Sequence, residues 1–397
     1  MLYLKKKFFW YLIVTLFMIE FAIKVSPGYL ETTLRSDFNL NFTQVAFYSS
    51  LYYISYALFQ LPAGILIQKF GVKKNFLALL FVFVIGVTIT STTQSFFLLC
   101  FSRVLMGIGS AVTFTTLLTL AVEWFDEVHF PFYVGITNLF GMLGPIFLSL
   151  ILNLYGLSQH WQSVFAVAGA VSGSIMLSLF FIPASNSLQK NANTPTIDLI
   201  MQILSKRVFW FYLLVAIIMV LPIALIPEMW GSFYLESYHH IEQDKIPFLI
   251  AMVYCGIAVG GPTSGLLSSK FSLKYLLKAG LIFEALSLVL LTMKLNSFLF
   301  LPLFFIGFFA STMLLCFSLI RKNFKNATPL SIALFNMVLT IGTTLSQPLT
   351  GFLFDIISSS HIGYKFSYLL QFIACINILI VIFFNTLHSR LENTNNS

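Results

Sequence analysis

Residues 18–28, MIEFAIKVSPG, set Glu20 and Lys24 four positions apart inside an apolar run, and Arg103 and Glu228 interrupt two more such runs. A charge held in hydrocarbon costs at least about 2.5 kcal/mol, so it persists where it faces a partner or water. Four residues is about 40° around a helix, so Glu20 and Lys24 can pair on one face. Two cations and a carboxylate of separate origin suit a zwitterion. Arg103, helped by Lys24, would clamp a carboxylate while Glu228 receives an amino group. This is binding chemistry, since no H-E-x-x-H, G-x-S-x-G or phosphate-loop pattern accompanies it. Blander readings stay open: Lys24, three residues before Pro27, could snorkel to the membrane face; Glu20 could be a purely structural partner of Lys24; and Glu228 could be a solvated helix end. Arg103 has no carboxylate ahead of it in its own run.

The elements that must position these residues follow from composition. Of 397 residues, 58% are hydrophobic and 9% charged, against about 25% charged in ordinary soluble domains. Apolar stretches of about 20 residues, each long enough to cross about 30 Å of hydrocarbon, recur along the chain. We expect an all-α membrane protein with twelve spans, at 8–27, 43–68, 75–93, 96–120, 132–154, 161–183, 207–235, 247–269, 274–293, 297–319, 329–353 and 366–387. With both termini cytoplasmic, the inner segments hold sixteen lysines and arginines and the outer ones four, Arg35, Lys245, Lys294 and Lys365. The inner loop around Glu123, Asp126 and Glu127 lacks a basic residue. The net charge of +8 therefore reports topology, with no run suited to nucleic acid. Cys100, Cys255, Cys316 and Cys375 all fall in expected spans, so neither a disulfide nor a metal framework is expected. The first apolar run contains Glu20 and Lys24 and no small-residue cleavage site, which reads as a retained span.

The chain repeats. Setting Gly64 on Gly265 aligns Leu66 with Leu267, Lys69 with Lys270, Phe70 with Phe271 and Lys73 with Lys274, at one offset of 201. Both copies end the second span of their half, so the repeat is parallel. We expect a six-helix bundle over 1–183, a cytoplasmic linker over 184–206 containing ASNSLQKNANTPTID, and a second bundle with a short tail over 207–397.

At these residues the chain resembles the major facilitator superfamily. That family's signature after span two, G-x-L-x-D-x-x-G-x-K/R-K/R, reads here Gly64, Leu66, Gln68, Gly71, Lys73 and Lys74, with Gln68 in place of the aspartate. A second signature, R-x-x-x-G-x-G, supplies Arg103, Gly107 and Gly109, and half of the antiporter pattern appears as Gly141, Gly144 and Pro145. The resemblance implies alternating access around a central cavity lined by the first and fourth spans of each half, on which Glu20, Lys24 and Arg103 would converge. FAIKVSPG also looks like the opening of the phagosomal transporter family of intracellular bacteria and, more distantly, of lysosomal dipeptide carriers. Members of those groups move amino acids, nucleosides or dipeptides.

Further residues complete the expected site. Pro222 and Pro227 interrupt span seven just before Glu228 and Trp230, and broken helices expose backbone polar groups to ligands. Asn138 and Asn336 occupy nearly matching places, offset by 198, and Gln347 precedes Pro348; each could equally be an interhelical hydrogen bond. Tyr52, Tyr53, Tyr56 and Tyr254 would wall the cavity or pack elsewhere, and Glu284 has no assigned role. The expected function is proton-coupled uptake of amino acids or short peptides, with Glu20 loading and releasing a proton beside Lys24 and Glu228 as a second coupling group. The expected partners are a small-molecule substrate and the lipid bilayer, with no cofactor beyond the proton gradient. The expected setting is a monomer in the cell inner membrane. A drug/proton antiporter, an organic-anion carrier, a membrane enzyme using His239, His240, Glu242 and Asp244 for a metal, and a transport-dead sensor are the alternatives.

Overall fold

The computed structural model describes residues 2–114, 116–117, 130–154, 160–180, 196–294, 296–324, 328–356 and 362–395. The regular elements among these residues are all helical. The first half supplies α1 (Leu2–Phe38), α2 (Phe42–Phe70), α3 (Val72–Thr92), α4 (Phe96–Ser110), α5 (Phe130–Leu154) and α6 (Trp161–Phe180). Then come α7 (Thr196–Ser205), α8 (Arg207–Leu225), a π turn (Ile226–Trp230), α9 (Gly231–Ser237), α10 (Ile246–Leu267) and α11 (Leu273–Thr292). The chain closes with α12 (Phe300–Ala310), α13 (Leu314–Asn323), α14 (Thr328–Thr344), α15 (Ser346–Ile356) and α16 (Ile362–Asn395).

Among the described residues nine helices are long and apolar enough to cross a membrane, and Phe96–Ser110 and Ile136–Leu152 form shorter apolar helices. The chain is a multi-pass membrane protein. The acidic loop at 123–127 and most of the linker, 184–195, lie outside the described residues.

One helix break departs from expectation and one meets it. The first span was expected to end at 27, yet α1 continues through Pro27 to Phe38. Proline deprives the carbonyl four residues earlier of its donor, and Arg103 supplies one there, so the helix continues. In the seventh span the expected interruption near Pro222 and Pro227 is present: the α-helix ends at Leu225. A π turn at Ile226–Trp230 takes up the irregularity, as such bulges do in helices at functional sites.

One apolar core runs through the first half and into one end of the second, reaching Trp230, Tyr234, Phe354 and Phe366. A separate core lies wholly within residues 203–384, around Phe209, Ile320 and Phe335. The halves thus share packing at one end. At the shared end, which is the outer one in the orientation set by the basic loops, Gly28 abuts the π turn. A Cβ on Gly28 would lie 2.6 Å from the Pro227 carbonyl oxygen. Ser232 donates to the Gly28 carbonyl at 2.8 Å, Ser149 to that of Pro247 at 2.8 Å, and the Thr43 amide to Asp355 at 3.1 Å.

The α2–α3 link turns on Gly71, whose φ of +84° suits glycine. Asn75 holds it by donating to the carbonyls of Leu66 and Gly71, and Lys73 donates to the Phe180 carbonyl at 2.9 Å. Lys74 is exposed. Gly64 and Gln68 lie in α2, and the Gln68 side chain is outside the described residues.

Candidate functional site

A cavity of about 150 Å³ lies between the halves. The first half lines it with Phe17, Phe21 and Lys24 from α1, Tyr53 and Tyr56 from α2, Phe114, and Asn138 and Met142 from α5. The second half answers with Glu228 from the π turn, Tyr254 and Ile257 from α10, and Asn336, Thr340 and Thr343 from α14.

Six expected site residues therefore meet here: Lys24, Asn138, Tyr56, Glu228, Tyr254 and Asn336. The spacing 17, 21, 24 places Phe17, Phe21 and Lys24 on one face of α1. Lys24 holds its ammonium 4.3 Å from the Phe21 ring centre and 4.7 Å from that of Tyr53. Glu228 attracts it from across the interface. Tyr53 is buried, and its hydroxyl is directed at the Glu228 carboxylate. Tyr254 donates to the Pro227 carbonyl at 3.2 Å, which ties the cavity wall to the π turn.

Four expected residues lie elsewhere. Arg103 is fully buried and absent from the cavity wall; Nη1 donates to the Ile23 carbonyl at 2.7 Å and Nη2 to that of Lys24 at 3.1 Å. Its guanidinium stacks 4.7 Å from the Tyr48 ring centre. Pro27 has no N–H for the Ile23 carbonyl, and the strongest donor nearby has taken that place. The expected clamp is thus turned into its own half.

Glu20 does not pair with Lys24. Its buried carboxylate accepts from Thr113 at 2.8 Å, on the shoulder of α1 away from the cavity. Trp230 and Gln347 form a buried strut instead of cavity wall. Gln347 accepts from Ser49 at 3.2 Å and donates to the Ala224 carbonyl at 3.2 Å, and Trp230 donates to the Gln347 carbonyl at 3.3 Å. Trp230 then packs against Phe42 and Phe354, with ring centres 5.9 and 5.0 Å away.

Gly144 and Pro145 sit where α5 meets α1: a Cβ on Gly144 would lie 1.9 Å from the Met18 carbonyl oxygen. His239 is buried, with Nε2 3.0 Å from the Leu291 carbonyl, and Glu242 pairs with Lys245 at 2.6 Å. Among the described residues no three His, Cys, Asp or Glu side chains are placed to hold a metal.

Sequence reasoning missed Thr113 as the partner of Glu20, because nothing in the sequence says which turn of the fourth span meets the first. It also missed the pair of Glu31 with Arg35, 3.2 Å apart, whose guanidinium lies 3.7 Å from the Phe42 ring centre. The i, i+4 spacing was the available signal; ending α1 at Pro27 concealed it.

The sequence profile of the Major Facilitator Superfamily matches residues 12–242 and 229–396. The chain belongs to the major facilitator superfamily. The fold agrees with that membership. A crystal structure of the nucleoside transporter NupG superposes with a TM-score of 0.74 at 12% identity, covering 94% of this chain and 99% of that one. The E. coli fucose:proton symporter FucP superposes with a TM-score of 0.64 at 16% identity, covering 93% and 98%.

Among curated relatives, a probable sulfoacetate transporter, SauU of Cupriavidus necator, is 26% identical over 171 residues, 43% of this chain and 40% of its own. A quinolone resistance transporter of Acinetobacter baumannii is 25% identical over 178 residues, 42% and 40%. The nitrate/nitrite transporter NrtP of a Picosynechococcus is 22% identical over 238 residues, 53% and 44%. The matches thus span less than half the length of these relatives. The facilitator fold carries solutes of several classes in these proteins.

Proposed function

We propose that this chain is a proton-coupled secondary transporter that moves a small zwitterionic organic solute, of the amino acid or short peptide class, by alternating access. One observation carries the reading: Lys24 and Glu228, of opposite sign and from opposite halves, line one cavity between the bundles. A carboxylate on the solute would meet Lys24 and its ammonium would meet Glu228, with Asn138 and Asn336 offering amides from the two sides. A solute bridging the two charges draws the halves together, which is the coupling of binding to conformation that alternating access requires.

The expected coupling group shifts accordingly. Glu20 touches Thr113 and not Lys24, so its proton has no direct hold on the cavity cation. Glu228 faces both solute and lysine, and we assign proton coupling to it. A bacterial inner-membrane location with basic loops inside is part of the same proposal.

An organic-anion carrier is the second reading, favoured by the sulfoacetate and nitrate/nitrite transporters among the relatives. It needs Lys24 and leaves Glu228 without a purpose in the cavity. Thermal stabilisation of the purified chain by L-amino acids, dipeptides, nucleosides and sulfonates separates the two. A zwitterion that stabilises wild type but neither Lys24→Met nor Glu228→Gln supports the proposal. Stabilisation by sulfonate that survives Glu228→Gln defeats it in favour of the anion carrier.

A further inference from the structure

The aromatic faces beside Glu228 form a seat for a cation. Phe21 and Tyr53 present their rings, and Glu228, toward which the Tyr53 hydroxyl is directed, supplies the negative charge. Ring faces attract ammonium groups, the more so when water is excluded. A carboxylate beside them turns that general attraction into a site for a primary or methylated ammonium.

The ammonium of Lys24 sits in this seat. It reaches there from α1, the helix that also carries Phe21, and it is attracted by the same Glu228 that would hold a ligand. We propose that Lys24 is a tethered occupant of the cavity's cation seat, and that a solute's ammonium takes the seat by displacing it. The displaced lysine then swings onto the solute's carboxylate. This inference rests on the zwitterion reading for its second step, though not for its first.

The arrangement would act as a filter. A simple amine can enter only by driving Lys24 out, and it then leaves that lysine buried without a counter-charge, which is costly. A zwitterion repays the displacement, because it brings its own carboxylate for the lysine. Discrimination against simple amines therefore comes from within the site, as a built-in competitor, and removing the competitor should remove the discrimination.

The test uses the full chain in lipid nanodiscs and three probes: propylammonium, propionate and L-alanine. Lys24→Met and Lys24→Gln each vacate the seat while keeping its rings and Glu228. An occupant present about nine-tenths of the time weakens apparent affinity about tenfold, so both variants should bind propylammonium at least about tenfold more tightly than wild type. Adding Glu228→Gln to either variant should abolish the gain. Gln keeps a polar end, so the comparison survives if the Met variant does not fold.

Equal propylammonium binding by wild type and a folded variant overturns the proposal, as does a gain that persists without Glu228. The L-alanine and propionate arms report on the transport reading separately. L-alanine that stabilises wild type while the amine gain is absent leaves the zwitterion reading standing and removes the tethered occupant. An amine gain in the variants, with wild type stabilised by propionate and not by L-alanine, does the reverse.

Discussion

The guanidinium of Arg103 stands 2.7 Å from the carbonyl of Ile23, the one acceptor in α1 that Pro27 leaves without its helical donor. A backbone carbonyl unpaired inside a membrane span costs several kcal/mol, and a charged donor is the strongest available remedy. The proline and the arginine therefore belong to one device: the first loosens α1 next to Lys24, and the second holds the loosened turn. Arg103→Leu should destabilise the chain by about 1–3 kcal/mol, the cost of an orphaned buried acceptor. Pro27→Ala restores the missing N–H, so the double variant should recover much of that loss in a thermal melt. Two additive losses would show that Arg103 serves something other than this carbonyl.

The second half braces its irregular turn with a neutral group. Gln347 donates to the Ala224 carbonyl beside the π turn and accepts from Ser49 of the other half. Gln347→Leu keeps the volume and loses both bonds, which should cost about 1–3 kcal/mol. Because Ser49 belongs to the first half, the loss should fall mainly on the state in which the two halves are joined at this end. Ser49→Ala should be much milder, since the link from Gln347 to Ala224 survives it. A Ser49→Ala loss as large as that of Gln347→Leu in the same melts would assign the strut to the Ser49 contact instead.

Most of the fold was legible in the sequence, and about half of the site was. The repeat at offset 201 and the apolar runs gave the paired bundles because lipid forces every span to satisfy its own backbone. Lys24 and Glu228 were legible for a related reason: a charge beside a helix break has to face something polar. Arg103 misled because its partner is a backbone atom, and the sequence shows side chains. Pro27 minus four names Ile23 as the needy carbonyl, but only packing reveals that α4 turns Arg103 toward it. Glu20 misled similarly. Four residues from Lys24 is close enough to pair, yet 40° of rotation was enough to give it Thr113 and leave Lys24 to the cavity.

The contact of Gly28 with the π turn makes the closed end sensitive to one methyl group. A Cβ there would approach the Pro227 carbonyl oxygen to 2.6 Å and the Glu228 carbonyl carbon to 2.9 Å, and backbone cannot step aside as a flexible side chain would. Gly28→Val should therefore open this end and populate the opposite-facing conformation. Spin labels on the exposed positions Ser36 and Ile356 should show a longer mean distance in Gly28→Val than in the unsubstituted chain. An unchanged distance distribution would mean that the halves do not close on Gly28.

Glu228 and Glu20 should separate under a proton gradient. Glu228 stands in the cavity across from Lys24, whereas Glu20 is engaged by Thr113 outside it. Glutamine at 228 keeps the shape of the side chain but can neither load nor release a proton and holds an ammonium only weakly, so at solute concentrations high enough to fill the weakened site, proteoliposomes carrying Glu228→Gln should exchange solute across the membrane yet fail to accumulate it. Glutamine at 20 can still accept from the Thr113 hydroxyl through its amide oxygen, so Glu20→Gln should retain accumulation within about threefold, the spread expected of a change of about 0.65 kcal/mol. The measurement is gradient-driven uptake of a stabilising solute, paired with counterflow in the absence of a gradient. Accumulation lost in Glu20→Gln and kept in Glu228→Gln would move the coupling site from the cavity to Glu20 and remove the charge of Glu228 from both coupling and solute recognition.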